Sequence, residues 1–388
     1  MKDKKFETQA IRAQMERSEN NEHSAPLYLT SSFVFDTADD MRAAFNDESD
    51  AFIYSRYTNP NNNEFVNKVC LMEGAEAGVA LASGMAAIYT TFMALLKSGD
   101  HVVSCSSVFG ATHALFTKYF PKLNISHSYF NIKNPNDIEK LIKPETRFIY
   151  LETPTNPAIE LIDLEFVAAI AKKHNKLLIV DNCFATPYLQ QPIKHGADLV
   201  IHSATKYMDG QGRVLGGVVV GKKELINEIY LFGRITGPSM SPFNAWVLSK
   251  SLETLALRMD RHCENALHIA EALEKNSALE NVSYPFLKSH PHHSIAKKQM
   301  KAGGGIITVT VKGGLEGAKK FMDKFQLIKI SPNLGDSRTI ATHPASSTHC
   351  KLSEEERLSV GISQGLIRIS IGLENKEDIL DDIQQALK

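Results

Sequence analysis

Between residues 100 and 221 the chain repeats an alternation that few architectures can satisfy: a short apolar run, an amphipathic stretch, then another apolar run. HVVSC (101–105), RFIYLE (147–152), LLIVDN (177–182), DLVIHSA (198–204) and VLGGVVVG (214–221) are short, apolar and rich in Val, Ile and Leu, which reads as strands buried on both faces. Residues 84–97, 110–120 and 163–174 carry their apolar side chains at helical spacing instead. Strands that alternate with helices pair in parallel, because each crossover must return to the same edge. The spacing therefore predicts an α/β fold with a mostly parallel central sheet covered by helices on both faces.

The flanks follow different patterns. Residues 1–60 are rich in Asn, Ser, Asp and charge, with apolar islands only at PLYLTSSFVF and AFIY, so they read as an N-terminal arm without a core of its own, lying on a partner surface. Beyond residue 250 one long helical period sets in, carried by Leu252, Leu255, Ala256, Met259, Cys263, Ala266, Leu267, Ala270 and Leu273. Strands at GIITVTV (305–311) and LIRISIG (366–372), with helical stretches near 314–325 and 376–387, then predict a smaller C-terminal α+β unit. The expected organisation is an arm (1–60), an α/β domain (61–250) and an α+β domain (251–388).

Charge narrows the partners. The 43 basic and 44 acidic residues are interspersed and nearly cancel, leaving no broad field to gather nucleic acid or an anionic membrane, so a small-molecule partner is expected. The polar start MKDKKFETQ has no apolar leader core, and no apolar run reaches the roughly 18 residues a membrane span needs. The five cysteines form no C-x-x-C pair, which fits reduced thiols and a cytoplasmic location.

Three segments carry chemistry. In ADLVIHSATKYMDGQGRVLGG, Lys206 follows the C-terminal end of a buried strand, where open α/β sheets present groups to ligands. An amine whose environment lowers its pKa becomes a nucleophile able to capture a carbonyl as an imine, and Ser203 and Thr205 beside it offer hydroxyls suited to a phosphate. Upstream, LLIVDNCFATP ends a second strand on Asp181, a carboxylate suited either to a ring nitrogen or to capping the turn that follows. Earlier still, LASGMAAIYTTFMALL places Ser83, Gly84 and Met85 at a helix start, which is an ordinary cap or a phosphate site formed by free N–H groups and the positive end of the helix dipole.

Other signals are weaker. GQGRVLGG fails the G-x-G-x-x-G dinucleotide pattern because Leu215 occupies the sixth position, which removes the best motif of a nicotinamide oxidoreductase. His290, His292 and His293 lack the matched Cys or carboxylate spacing of a metal site, so no metal is expected.

Taken in order, YSRYTNP (54–60), SGMAA (83–87), ETPTNP (152–157), VDNCFATP (180–187), HSATKY (202–207), LALRMDRHCENA (255–266), HPASSTH (343–349) and IRISIGLE (367–374) resemble the Cys/Met-metabolism (trans-sulfuration) family of pyridoxal 5'-phosphate (PLP) enzymes over nearly the whole chain. The resemblance implies the PLP-dependent transferase fold, aspartate-aminotransferase-like and known as fold type I. It also implies PLP held as a Schiff base on Lys206, which doubles as the base that moves substrate protons. Asp181 is then the ring-nitrogen partner and Ser83, Gly84, Met85, Ser203 and Thr205 the phosphate cradle. Tyr54 and Arg56 complete that cradle from a neighbouring subunit, within a homotetramer built as a dimer of active-site-sharing dimers. Arg368 clamps the substrate α-carboxylate, and Asn156 stands near the ring oxygen and the substrate. Phe109 takes the place of a ring-stacking Tyr and keeps the surface without the phenol.

Asn333, in Asn333-Leu334-Gly335-Asp336, has the form of the sulfhydrylase branches of the family. It points to γ-replacement on O-succinylhomoserine, or another O-acylhomoserine, with sulfide as the second substrate and homocysteine for methionine synthesis as the product. Cystathionine formation and γ-elimination stay open, as does the acyl group. Arg213 is a candidate for a succinyl carboxylate or a salt-bridged surface residue, with His113 and Lys118 as further candidates.

Overall fold

The computed structural model describes residues 1–388. Twelve strands form two sheets: β1 (Ala77–Leu81), β2 (His101–Cys105), β3 (Ser126–Phe130), β4 (Thr146–Glu152), β5 (Leu177–Asp181), β6 (Leu199–Ser203) and β7 (Gly217–Gly221) in the first, then β8 (Leu279–Ser283), β9 (Ile306–Val311), β10 (Lys329–Ile330), β11 (Ile340–Thr342) and β12 (Leu366–Ser370) in the second. The first sheet has the order β1-β7-β6-β5-β4-β2-β3. Its inner strands pair in parallel, and β7 runs antiparallel to both β6 and β1. The predicted mostly parallel α/β sheet is therefore present, and its central strands are sealed on both faces.

Two strands of the first sheet escape the sequence pattern, as do β8, β10 and β11 of the second. β1, AGVAL, is rich in small residues and only half-buried, while β3, SHSYF, is polar and forms the edge beside β2. Neither has the branched apolar run that marks a central strand. The amphipathic stretch 110–120 is likewise broken up, as a short α-helix (Gly110–Ala114), a π-turn (Leu115–Tyr119) and a 3-10 turn (Phe120–Leu123). The long period near residue 250 is two helices, Pro242–Leu252 and Leu255–Leu273, so Leu252 closes the first and Leu255 opens the second.

The second sheet, ordered β10-β11-β12-β9-β8, is antiparallel except for β10 with β11. It has its own apolar cluster, built from Ile307, Val309, Ile367 and Ile369 with Ile379 and Ile383 of the Lys376–Ala386 helix. The Leu255–Leu273 helix spans both cores: Leu255 and Met259 pack in the first, Ile269 and Leu273 in the second.

The N-terminal segment is held to its own chain by polar contacts more than by a core. Tyr28 N–H donates to Asn61 Oδ1 at 2.8 Å, Asn61 Nδ2 to Pro26 O at 2.8 Å and Trp246 Nε1 to Ala25 O at 2.9 Å. Several of its apolar side chains stay in solvent, with Val34 98% and Leu29 71% exposed, while Ala10 and Phe6 join the first core.

No helix is long and apolar enough to cross a membrane.

Candidate active site

Parallel strands end at one edge, and β4, β5 and β6 deliver Glu152, Asp181 and Ser203 there. Glu152 and Asp181 are register partners, so their side chains leave the same face of the sheet. The β6–β7 connection brings Thr205 and Lys206 over that edge, the Gly84–Leu95 helix begins beside it, and Arg368 of β12 with Asn333 closes the cavity from the second sheet. The space enclosed is about 490 Å³. Ser83, Gly84, Met85, Phe109, Asn156, Asp181, Ser203, Thr205, Lys206, Asn333 and Arg368, all expected at one site, line it together.

Lys206 reaches into the cavity from its sheltered loop. Its Nζ donates to Asn333 Oδ1 at 3.0 Å, and no carboxylate lies within ion-pair reach. Burial lowers its pKa, as does the positive charge of Arg368, while Cys183 and Asp181 act in the opposite direction. Arg368 is only 3% exposed. Its guanidinium donates to Asn156 Oδ1 (2.9 Å), Pro332 O (3.0 Å) and Asn333 O (2.9 Å), all neutral acceptors, and burial pushes its pKa down to about 10. A buried cation aimed into a cavity without an anion is costly unless a ligand brings one.

Asp181 Oδ1 accepts from Cys183 N–H at 3.0 Å, and Tyr150 Oη lies 3.5 Å from Oδ2. Burial holds the Asp181 carboxyl above the usual range, and burial followed by the Asp181 charge raises Glu152 well above it. Glu152 was not expected at the site, although it opens the ETPTNP segment. Its Oε1 accepts the N–H of Phe109 at 2.7 Å. Cys183 also lines the cavity, its Sγ 3.7 Å from Ser203 O, and burial raises its pKa. Neither residue carries a motif of its own, so only their position after Asp181 and at the end of β4 could have drawn notice.

The helix start fits a phosphate. Ser83 caps it by accepting from Ala86 N–H at 3.1 Å, leaving the N–H groups of Gly84 and Met85 without protein acceptors. A Cβ on Gly84 would stand 2.6 Å from Ser203 Cβ, and one on Gly217 would stand 2.0 Å from Ser83 O, so only glycines let these three segments converge. Ser203 Oγ lines the cavity beside Gly84, placed to meet the same phosphate. Thr205 uses its hydroxyl within the chain, donating to Gly216 O at 3.3 Å and accepting Gly216 N–H at 3.1 Å. It braces the loop that carries Lys206. An amine of lowered pKa, the half-buried Asp181 carboxylate, an anion-ready helix start and an unpaired guanidinium together fit PLP and an amino-acid carboxylate.

Tyr54 and Arg56 do not line this cavity. Arg56 donates to Arg234 O and packs its guanidinium 4.8 Å from the centre of the Tyr57 ring, and Tyr54 is exposed. Arg213 is bound by Asp209, Nε to Oδ1 at 3.0 Å, which is the salt-bridged alternative. His113 faces the Tyr129 hydroxyl at 2.9 Å. The His290–His293 run serves the backbone: His292 Nδ1 accepts from Leu161 N–H and His290 Nδ1 from His292 N–H, both at 3.1 Å.

Comparison with known proteins agrees with this geometry. Residues 7–388 match the model of the Cys/Met metabolism PLP-dependent enzymes. An O-succinylhomoserine sulfhydrylase from Pseudomonas aeruginosa is 46% identical over 98% of this chain and 95% of its own length. An L-methionine gamma-lyase from Porphyromonas gingivalis is 43% identical over 94% of this chain and 92% of its own. A Campylobacter jejuni structure, described as a candidate O-acetylhomoserine (thiol)-lyase and containing a pyridoxyl-lysine monophosphate, superposes with a TM-score of 0.95 at 34% identity, covering 99% of this chain and 100% of that one.

Proposed function

The chain belongs to the family of Cys/Met metabolism PLP-dependent enzymes, and from that premise we propose that it exchanges the acyloxy group of O-succinylhomoserine for sulfide, releasing homocysteine and succinate. The observation that carries the reading is the open charge in one cavity: Lys206 and Arg368, both without a carboxylate partner, beside the half-buried Asp181.

PLP, when bound, supplies an aldehyde that condenses with an amine and a protonated ring that withdraws electrons from the substrate carbons. The Gly84 and Met85 N–H groups with the Ser203 and Thr205 hydroxyls would hold its phosphate, and Asp181 would keep the proton on its ring nitrogen. Arg368 binds the substrate α-carboxylate through its planar fork, and because Asn156 Oδ1 already accepts from Arg368, Asn156 Nδ2 is left to donate towards the ring oxygen. Lys206 Nζ would take the α-proton and hand it to the imine carbon of the bound cofactor, which frees the amine to take one β-proton; succinate would then leave from the γ-carbon and hydrosulfide bond to that carbon. Lys206 returns the two protons to the α- and β-carbons, so the overall change is replacement of a C–O bond by a C–S bond. Asn333, bonded to Nζ, keeps the amine between these carbons. Phe109 contributes a flat apolar face to the cofactor ring.

Tyr54 and Arg56 belong, in this reading, to the phosphate site of a neighbouring copy, because neither reaches the cavity of its own chain and the segment that bears them leaves Val34 and Leu29 in solvent. Active-site-sharing dimers paired into a homotetramer follow, with residues 1–60 as the exchanged arm, 61–250 as the cofactor domain and 251–388 as the closing domain.

The similarity to L-methionine gamma-lyases favours a second reading, γ-elimination to an α-keto acid. Offering O-succinylhomoserine with sulfide, with cysteine and alone, and methionine alone, separates the two. Homocysteine formed only with sulfide supports replacement. An α-keto acid as the main product, above all from methionine, moves the activity to the lyase branch, and cystathionine as the main product with cysteine moves it to the synthase branch.

A further inference from the structure

Glu152 is unexplained by the chemistry above. It is 6% exposed, lines the cavity and has no cation beside it. Across the β4–β5 pair it faces Asp181, so ionising both would put two carboxylates side by side at the sheltered floor of the cavity. Its Oε1 accepts the N–H of Phe109 at 2.7 Å, and the Tyr150 hydroxyl also stands close to the carboxyl.

The Phe109 contact occupies a sensitive place. Phe109 is the residue before the Gly110–Ala114 helix, and its carbonyl already accepts from His113 N–H at 2.9 Å. Phe109 lines the cavity and is 38% exposed, so packing alone does not fix where its ring lies. The backbone sets it, and Glu152 holds the backbone from the floor of the site.

We propose that Glu152 is a positioning residue: through the Phe109 N–H it sets the height and tilt of the Phe109 ring over the cofactor. The proposal rests on the reading that Phe109 stacks on the ring. The useful form of Glu152 is the neutral carboxyl, which accepts this hydrogen bond while leaving Asp181 as the only charge for the ring nitrogen. Burial and the Asp181 charge both favour that form.

The test uses the PLP-loaded protein with Glu152→Ala, Glu152→Gln, Phe109→Ala and the Glu152→Ala/Phe109→Ala double variant. The readouts are the dissociation constant of PLP and the visible circular dichroism of the bound cofactor, which reports ring orientation, with thermal melting as a check of folding. Glu152→Ala is expected to weaken PLP binding by about tenfold and to diminish the dichroism, the effect of losing one hydrogen bond to an orienting group. Phe109→Ala should do the same, and the double variant should be no worse than either single one, since both changes remove one interaction. Glu152→Gln, which keeps the acceptor and cannot ionise, should rescue most of the loss. A Gln variant as impaired as the Ala variant, or an additive double variant, overturns the proposal. Phe109→Ala effective with Glu152→Ala silent overturns it alone, whereas a silent Phe109→Ala removes the stacking reading and the proposal with it.

Discussion

Two sheltered lysines in this chain live in opposite electrostatic surroundings. Lys68, sealed between the Pro60–Glu73 and Pro242–Leu252 helices, meets Glu64 at 3.2 Å, Glu253 at 3.4 Å and Ser249 O at 3.3 Å. Lys206 meets only the neutral Asn333 Oδ1, and Arg368 across the cavity meets only neutral oxygens. The charge is closed at the helix contact and open at the sheet edge. A closed ion pair holds elements together, whereas open cations hold a place for a ligand that brings the missing negative charge.

The comparison breaks most visibly at Lys206. In Lys206→Ala the turnover of O-succinylhomoserine should fall by about 10³-fold or more, the scale of losing a positioned proton carrier, and the absorption band of lysine-bound PLP should vanish while the melting temperature of the cofactor-free protein stays level or rises. A clear fall in that melting temperature would mean that Lys206 is also structural. Lys68→Ala should do the reverse. It strands the Glu64 carboxylate, which also accepts from Ser249 Oγ at 2.6 Å and Met15 N–H at 3.0 Å, and such losses cost about 3–5 kcal/mol of stability. Activity per folded molecule should survive, and Lys68→Met with Glu64→Leu should recover much of the stability in a denaturant titration.

Arg368→Lys sharpens the contrast with a smaller effect. The charge remains but the fork is lost, so kcat/KM should drop by roughly 30- to 100-fold, mostly through KM, with a modest change in melting temperature. Equal kinetics for Lys and Arg would show that charge alone fixes the substrate carboxylate.

The open-charge region was largely legible in the sequence. Lys206, Asp181 and Arg368 end or interrupt apolar runs, and the Ser83–Met85 helix start precedes an amphipathic stretch, so their places follow from strand and helix patterns. What escaped had no local signal. β1 is built of Ala and Gly and β3 of Ser and His, so both are strands by pairing rather than by propensity. Glu152 looked like the polar end of a strand, and its importance arises only from the register that sets it beside Asp181. Thr205 lines the cavity as expected of a phosphate ligand, and its further hydrogen bonds to Gly216 close a turn that the sequence does not spell out. The closed pair at Lys68 was also invisible: Glu64 lies one helical turn away, but Glu253 comes from 185 residues downstream.

The mildest test uses pH. Burial raises the carboxyl of Asp181 from 3.8 to about 6 in the folded protein. Between those two values the folded state binds a proton that the unfolded state has released. The contribution is therefore fully present below about pH 4 and is lost as pH rises to about 6. A protonated ring nitrogen beside Asp181 would favour the carboxylate and remove that loss. The gap in melting temperature between PLP-loaded and cofactor-free protein should accordingly widen by a few degrees from pH 4.5 to 7.5, and Asp181→Asn should flatten most of the widening. If the gap in the unmodified protein does not change with pH, Asp181 does not carry the countercharge of the ring. The open region would then be defined by its two cations alone.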